Sequence, residues 1–229
     1  MPLLSVPLWI WAGIVVVALP VLAVAVGVLW ELRARRPSMT MNINGTRFEL
    51  WCSRRLPKAT DLVVVPAAPD LKLIAGSALW VRGVTAGNAQ READAKAPRV
   101  PGDAVLVAGA RYRFARTALA VVMDERKQYS GEAIRDSLRR AVALASDRSI
   151  SSLTLPDWTP DLMRQPRVAN LAHRVSTAKL VAPMVAEAAV SLAGQVHCVR
   201  FWVQYPEIAR IYREALSSHT AWQGQSSAA

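Results

Sequence analysis

The spacing of apolar residues changes character several times along this chain. Leu3 to Trp30 contains no charged residue. At a helical rise of 1.5 Å, roughly 28 residues cover about 42 Å, more than the ~30 Å hydrocarbon core of a bilayer, so one membrane-spanning helix is predicted there. Pro37 to Thr46 is polar and reads as a linker. Arg47–Cys52, "RFELWC", alternates in the manner of a strand. Leu62–Val65 is a continuous β-branched run, the pattern of a strand covered on both faces. Leu79 to Ala95 is mixed and partly helical. "APRVPGDA" (Ala97–Ala104) is a turn, followed by strands at Val105–Val107 and Thr117–Met123.

Ser130 has the chemistry of a helix N-cap. Behind it Ile134, Leu138, Ala141, Val142 and Ala145 recur at helical spacing, with Glu132, Arg135, Asp136, Arg139 and Arg140 opposite. "SISSLTLP" (Ser149–Pro156) predicts a strand. Val168 to Leu192 has helical composition and is expected to break at Pro183. "VHCVRFWV" (Val196–Val203) predicts a last strand and Pro206–Leu216 a last helix, with Pro and Glu in its first turn. Strands alternate with helices, and several strands are apolar throughout. That pattern predicts an α/β sandwich on a mostly parallel sheet. The expected organisation is an anchor with its flank at 1–32, a basic, polar linker at 33–46, a globular domain at 47–216 and a flexible tail at 217–229.

The anchor carries its own markers. Trp9 and Trp11 lie near one end and Trp30 at the other, as in an aromatic belt. A cleaved signal peptide would need a basic start and a shorter apolar core, yet no Lys or Arg precedes Arg33. Arg33, Arg35 and Arg36 follow the span directly. By the positive-inside rule the N-terminus lies outside and the rest is cytoplasmic, a single-pass arrangement. The net charge is +11. Between residues 31 and 60 it comes from Arg33, Arg35, Arg36, Arg47, Arg54, Arg55 and Lys58 against Glu31 and Glu49. Next to a membrane, the simplest partner for this excess is a layer of anionic lipid headgroups. Nucleic acid is the weaker reading, because no nucleic-acid module is visible. Cys52 and Cys198 fall in predicted strands and suit buried, reduced positions. Neither they nor His173, His197 and His219 have metal-ligand spacing. No metal and no cofactor are expected.

The order of these segments resembles a macro domain. The resemblance rests on "LVVVPAAP", "PGDAVLVAGARY", "TALAVVMDERKQYSGEAIRDSLRRAVALA", "SISSLTLP" and the final strand with "PEIARIYREAL". It implies a three-layer α/β/α sandwich with a mixed, mostly parallel sheet, and a cleft that holds ADP-ribose. In that family the strand at Leu62–Val65 opens an Asp-Ala-Ile-Val-Asn-Ala-Ala-Asn motif. Ala67 and Ala68 match its alanines, and Pro66 and Pro69 fall on its two asparagines. Arg54 or Arg55 takes the place of the family's adenine-reading Asp, and a cation cannot accept from an adenine amino group. The family's first glycine-rich loop keeps only Gly76, next to Ser77. Its second would follow Pro156 and include Thr159, Pro160, Asp161 and Leu162. No glycine occurs between Gly131 and Gly194.

The resemblance therefore implies a retained scaffold and lost ligand contacts. The expected function is a non-catalytic binding or scaffold module with the ADP-ribose site lost or reshaped, and no catalytic residue is assigned. An active ADP-ribose binder or ADP-ribosyl hydrolase is one alternative. Another is a different nucleotide or phosphate ligand met by Arg54, Arg55, Arg82 and Lys72. Asp157, Asp161 and His173 have no partner pattern and read as structural or surface residues. Trp158 and Trp202 read as packing residues. Alternatively "DWTPDLM" would expose Trp158, Leu162 and Met163 to a protein partner.

Overall fold

The computed structural model describes residues 36–226, apart from 57–58, 74–75, 111–112, 127, 147–149 and 160–166. The chain divides at Arg36/Pro37, and Pro37–Ala229 forms one compact unit. The predicted span, with Trp9, Trp11, Trp30, Arg33 and Arg35, lies outside the described residues. Among the described residues no helix is long and apolar enough to cross a membrane.

The elements are β1 (Met39–Ile43), β2 (Thr46–Cys52), β3 (Thr60–Ala67), α1 (Gly76–Val84), α2 (Asn88–Asp94), β4 (Ala104–Ala110) and β5 (Phe114–Val121). They continue with α3 (Gly131–Ala145), β6 (Ser152–Pro156), α4 (Arg167–Val190), β7 (Cys198–Val203) and α5 (Pro206–Ser226). The strands form one sheet in the order β1-β2-β7-β6-β3-β5-β4. The five inner strands are mutually parallel, and the edge strands β1 and β4 run antiparallel to their neighbours.

Side-chain alternation divides the core. Leu62 and Val64 of β3 join Leu153, Phe201, Ile134, Leu138, Val181, Val185, Ile208 and Tyr212 on the face covered by α3, α4 and α5. Val63, Val65 and Ala67 join Leu71, Ala78, Val81, Ala89 and Phe114 on the face covered by α1 and α2. This is the expected three-layer sandwich. Ser130 caps α3, its side chain accepting from the Ala133 N–H, as predicted.

Three boundaries differ from expectation. The stretch read as a linker at Pro37–Thr46 contains β1, which pairs with β2 across the tight turn at Asn44 and Gly45, both at positive φ. Its side chains alternate in burial, but Thr and Asn on the exposed side hide the apolar period. The segment read as a frayed tail continues α5 to Ser226. Finally, α4 does not break at Pro183. Pro183 is exposed, and so is Lys179 four residues earlier, whose carbonyl loses its helical donor on the solvent side of the helix. The opposite face, with Ala178, Val181, Ala182, Val185 and Ala186, is fully buried, and this packing outweighs the ~3 kcal/mol propensity cost of proline.

Pro66 lies inside β3, which is surprising for an inner strand. The ladder to β6 explains it. Its register ends at Val63↔Thr154, and beyond that point the Val64 carbonyl accepts from Trp158 Nε1 at 3.2 Å. Backbone groups alternate sides along a strand, so Pro66 points its amide position the same way as Val64, toward β6, where no ladder bond remains to be lost.

Candidate functional site

A small cleft opens past the carboxyl ends of β6 and β7, the usual ligand position in parallel sheets. It is lined by Pro156 and Asp157 from the end of β6, Trp202 and Gln204 from β7 and its exit, Gly76, Ser77 and Trp80 from α1, and Arg174 from α4. Gly76 takes φ 53°, a left-handed conformation that favours glycine and starts α1 at the rim. Trp80 packs edge-on to Trp202, centroids 5.0 Å apart, and touches Phe114 at 5.6 Å. The Trp202 indole N–H is directed away from the cleft, to the Ser53 carbonyl at 2.8 Å. The cleft has a volume of about 60 Å³.

Among the described residues its polar wall is a hydrogen-bonded network. Arg174 is 6 % exposed and Asp157 5 % exposed. Arg174 Nη2 donates to Asp157 Oδ2 at 2.5 Å, and Arg174 Nε donates to Thr159 Oγ1 at 3.2 Å. Thr159 Oγ1 donates to Asp157 Oδ2 at 2.8 Å, and the Thr159 N–H donates to Asp157 Oδ1 at 3.0 Å. The guanidinium also lies 4.8 Å from the centroid of the Tyr205 ring. Both carboxylate oxygens are thus engaged, and Asp157 offers no free base to a substrate. Ser77 differs: its Oγ is buried and has no hydrogen-bond partner among the described residues.

The chain is pinned next to this network. The Asp157 N–H donates to the Trp202 carbonyl at 2.8 Å, extending the β6–β7 ladder by one residue. Trp158 then turns down into the core, 1 % exposed. Its carbonyl accepts from Tyr129 Oη at 2.7 Å, and its backbone also hydrogen-bonds the Tyr212 side chain. Burial pushes the Tyr129 and Tyr212 hydroxyls well above the ordinary tyrosine range, and the nearby Asp157 charge adds to the rise.

No protein-family model matches the chain, and no curated protein does. Solved structures do. The Oceanobacillus iheyensis macrodomain with MES bound superposes with a TM-score of 0.61 at 14 % identity, over 80 % of this chain and 97 % of that one. The same macrodomain with ADP gives 0.61 at 15 %, over 80 % and 96 %. The Trypanosoma brucei macrodomain in complex with ADP-ribose gives 0.56 at 13 %, over 74 % and 68 %. This is a macrodomain fold.

Within the macrodomain fold, the residues singled out from the sequence separate. Gly76 and Ser77 line the cleft, and Thr159 is buried behind it, bonded to two of the cleft's polar groups. Pro66, Ala67, Ala68 and Pro69 do not line it. Ala67 pairs with Val121 of β5, and the Ala68 and Pro69 carbonyls accept from the Leu71 and Arg99 N–H groups. Arg54 and Arg55 are exposed in the turn after β2, and Arg82 is exposed on α1. Lys72 is engaged by Asp94 at 2.6 Å. None of these four cations lines the cleft. Pro160, Asp161 and Leu162 lie outside the described residues, as does Met163.

One expectation is overturned. Trp158 cannot be an exposed anchor for a partner, because its indole is needed to close the gap between β6 and β3. Sequence reasoning missed Arg174, Trp80, Pro156 and Gln204. Arg174 had a usable signal. It shares a helical face with Ala178, Val181 and Val185, at spacings of 4, 7 and 11, all buried. A lone cation on an apolar stripe requires a buried carboxylate to meet it.

Proposed function

We propose that this chain is a membrane-tethered, non-catalytic binding module whose macrodomain-fold cleft has been rebuilt so that ADP-ribose is not its ligand. The observation that carries this reading is the buried Asp157–Arg174–Thr159 network. The resemblance places a glycine-rich, phosphate-cradling loop directly after β6. In this chain the first free N–H of that stretch and the nearest cation both serve a resident carboxylate. A phosphate would have to displace Asp157 from Arg174, leaving a buried carboxylate unpaired. The cleft of about 60 Å³ is also well below the ~300–1,000 Å³ of typical small-molecule sites. Pro66 and Pro69, at the family's asparagine positions, offer neither an N–H nor a polar side chain. The uncharged Leu3–Trp30 stretch and the arginines after it support a single-pass anchor with the domain cytoplasmic and anionic lipid beside it.

Isothermal titration of ADP-ribose into the detergent-solubilised full-length chain tests the reading. No measurable heat is expected, and a micromolar Kd would overturn it.

A second reading, a nucleotide or other phosphate ligand in the same cleft, draws on the neighbours solved with ADP and with ADP-ribose. It also draws on the buried, unpartnered Ser77 hydroxyl. A thermal-shift series with nucleotides at low and high salt separates the two. A shift that disappears with salt supports the nucleotide.

A further inference from the structure

The antiparallel pairing of β1 with β2 decides where the chain enters the domain. The register runs from Met39↔Leu50 to Ile43↔Thr46, so Met39 lies beside the carboxyl end of β2. The entry is fixed one residue earlier: the Ser38 N–H and hydroxyl both donate to the Leu50 carbonyl, at 2.7 and 3.0 Å. At this same end β2 leaves the sheet through Ser53–Arg55. That turn is held by the Ser53 N–H on the Val203 carbonyl at 3.0 Å, Trp202 Nε1 on the Ser53 carbonyl at 2.8 Å, and Ser53 Oγ on the Arg55 carbonyl at 2.7 Å. It therefore presents Arg54 and Arg55 on a rigid support. Both are exposed, and neither makes an ion pair among the described residues. Glu207 and Arg213 of α5, whose charges both reach Cys52, offset each other nearby.

We infer that this end of the sheet, with Arg54 and Arg55 at its tip, docks on an anionic phospholipid surface. The inference rests on the membrane-tethered reading above. Three features support it. Seven residues from position 32 to Met39 reach at most about 25 Å, less than the ~40 Å width of a domain of this size, so the chain-entry end is the one the tether keeps near the bilayer. Arg33, Arg35 and Arg36 precede that entry in sequence, so the cations before and after β1 have the same partner available. Guanidinium groups also pair with phosphate through two parallel hydrogen bonds, which suits Arg54 and Arg55 to headgroup phosphates. The cleft opens past the same ends of β6 and β7, so docking turns its mouth toward the bilayer surface.

Hydrogen exchange on the full-length chain reconstituted into vesicles tests this. Exchange at residues 51–56 is expected to slow about fivefold in vesicles containing anionic lipid, relative to phosphatidylcholine alone, and to recover in high salt. The β1–β2 turn at Asn44 and Gly45, at the opposite end of the sheet, serves as the control and should not change. The double substitution Arg54→Gln/Arg55→Gln should abolish the slowing and leave the melting temperature unchanged. Equal exchange in both lipids, or slowing that survives the double substitution, would overturn the docking while leaving the anchor intact. A chain that fails to float with either vesicle would overturn the anchor and the docking together.

Discussion

Two arginines, Arg200 and Arg174, are buried among the described residues, and each faces a buried carboxylate, but they are held in different ways. Arg200 and Glu49 are direct neighbours across the parallel β2–β7 ladder. Glu49 Oε2 accepts from Arg200 Nε at 3.2 Å and Trp51 Nε1 at 2.9 Å, Arg47 Nε reaches Oε1 at 2.9 Å, and Arg200 Nη1 donates to the Ala59 carbonyl at 3.1 Å. Strand register alone brings this pair together, away from the cleft. Arg174 and Asp157 come from a helix and a strand exit, and their pairing forms the wall of the cleft. The same chemistry serves sheet pairing in one place and forms a wall of the cleft in the other. An ion pair that register explains needs no ligand to account for it. One that spans two elements at the carboxyl end of a parallel sheet lies where ligands usually bind.

Substitutions can break this comparison, and the largest effect is expected at Arg200. Arg200→Met removes the buried cation from Glu49, leaves only the half-exposed Arg47 and the Trp51 indole, and should cost about 3–5 kcal/mol, lowering the melting temperature by roughly 10 °C. Arg174→Met should cost somewhat less, about 3 kcal/mol, because water from the cleft can reach Asp157. Adding Asp157→Leu to it should restore most of that loss. Thermal melts of the three variants measure the ordering, and equal losses for Arg200→Met and Arg174→Met would remove the distinction.

Smaller effects come from the support beneath the cleft. Tyr129→Phe removes a hydroxyl from the Trp158 carbonyl and should cost about 1 kcal/mol by urea unfolding. Alkaline pH probes the same support. The Tyr129 and Tyr212 hydroxyls titrate higher folded than unfolded, so their contribution is complete below the unfolded value of about 10 and is lost as pH rises through the folded value. Stability measured from pH 9 to 11 should fall, and the double change Tyr129→Phe/Tyr212→Phe should flatten that fall. Least of all, Ser77→Ala should shift stability by no more than about 0.5 kcal/mol, because the Ser77 hydroxyl has no partner to lose.

The layer order and most elements were legible in the sequence, because the apolar runs of β3, β5 and β7 and the striped face of α3 each have a single interpretation. β1 was not legible, since its exposed side is Thr and Asn and it gains strand character only by pairing with β2. Continuous α4 was not legible either, because tertiary packing decides whether an exposed proline breaks a helix. In the cleft, position within the motif located Gly76 and Ser77. It did not locate Arg174, which reaches Asp157 from a different element 17 residues later. The unused spacing along one helix points to a buried Arg174, but not to which carboxylate meets it. Pro66–Pro69 was placed at the family's cleft by motif position, and in the structure it is the end of β3 and the start of the next turn, away from the cleft lining.

The most direct test of a rebuilt cleft is site-resolved. NMR spectra of the full-length chain in nanodiscs, recorded with ADP-ribose, report on the Gly76, Ser77 and Gln204 amides and on the Trp80 and Trp202 indoles. The account predicts that none of these signals moves at micromolar ADP-ribose. Saturable shifts at Gly76 and Ser77 in that range would contradict it.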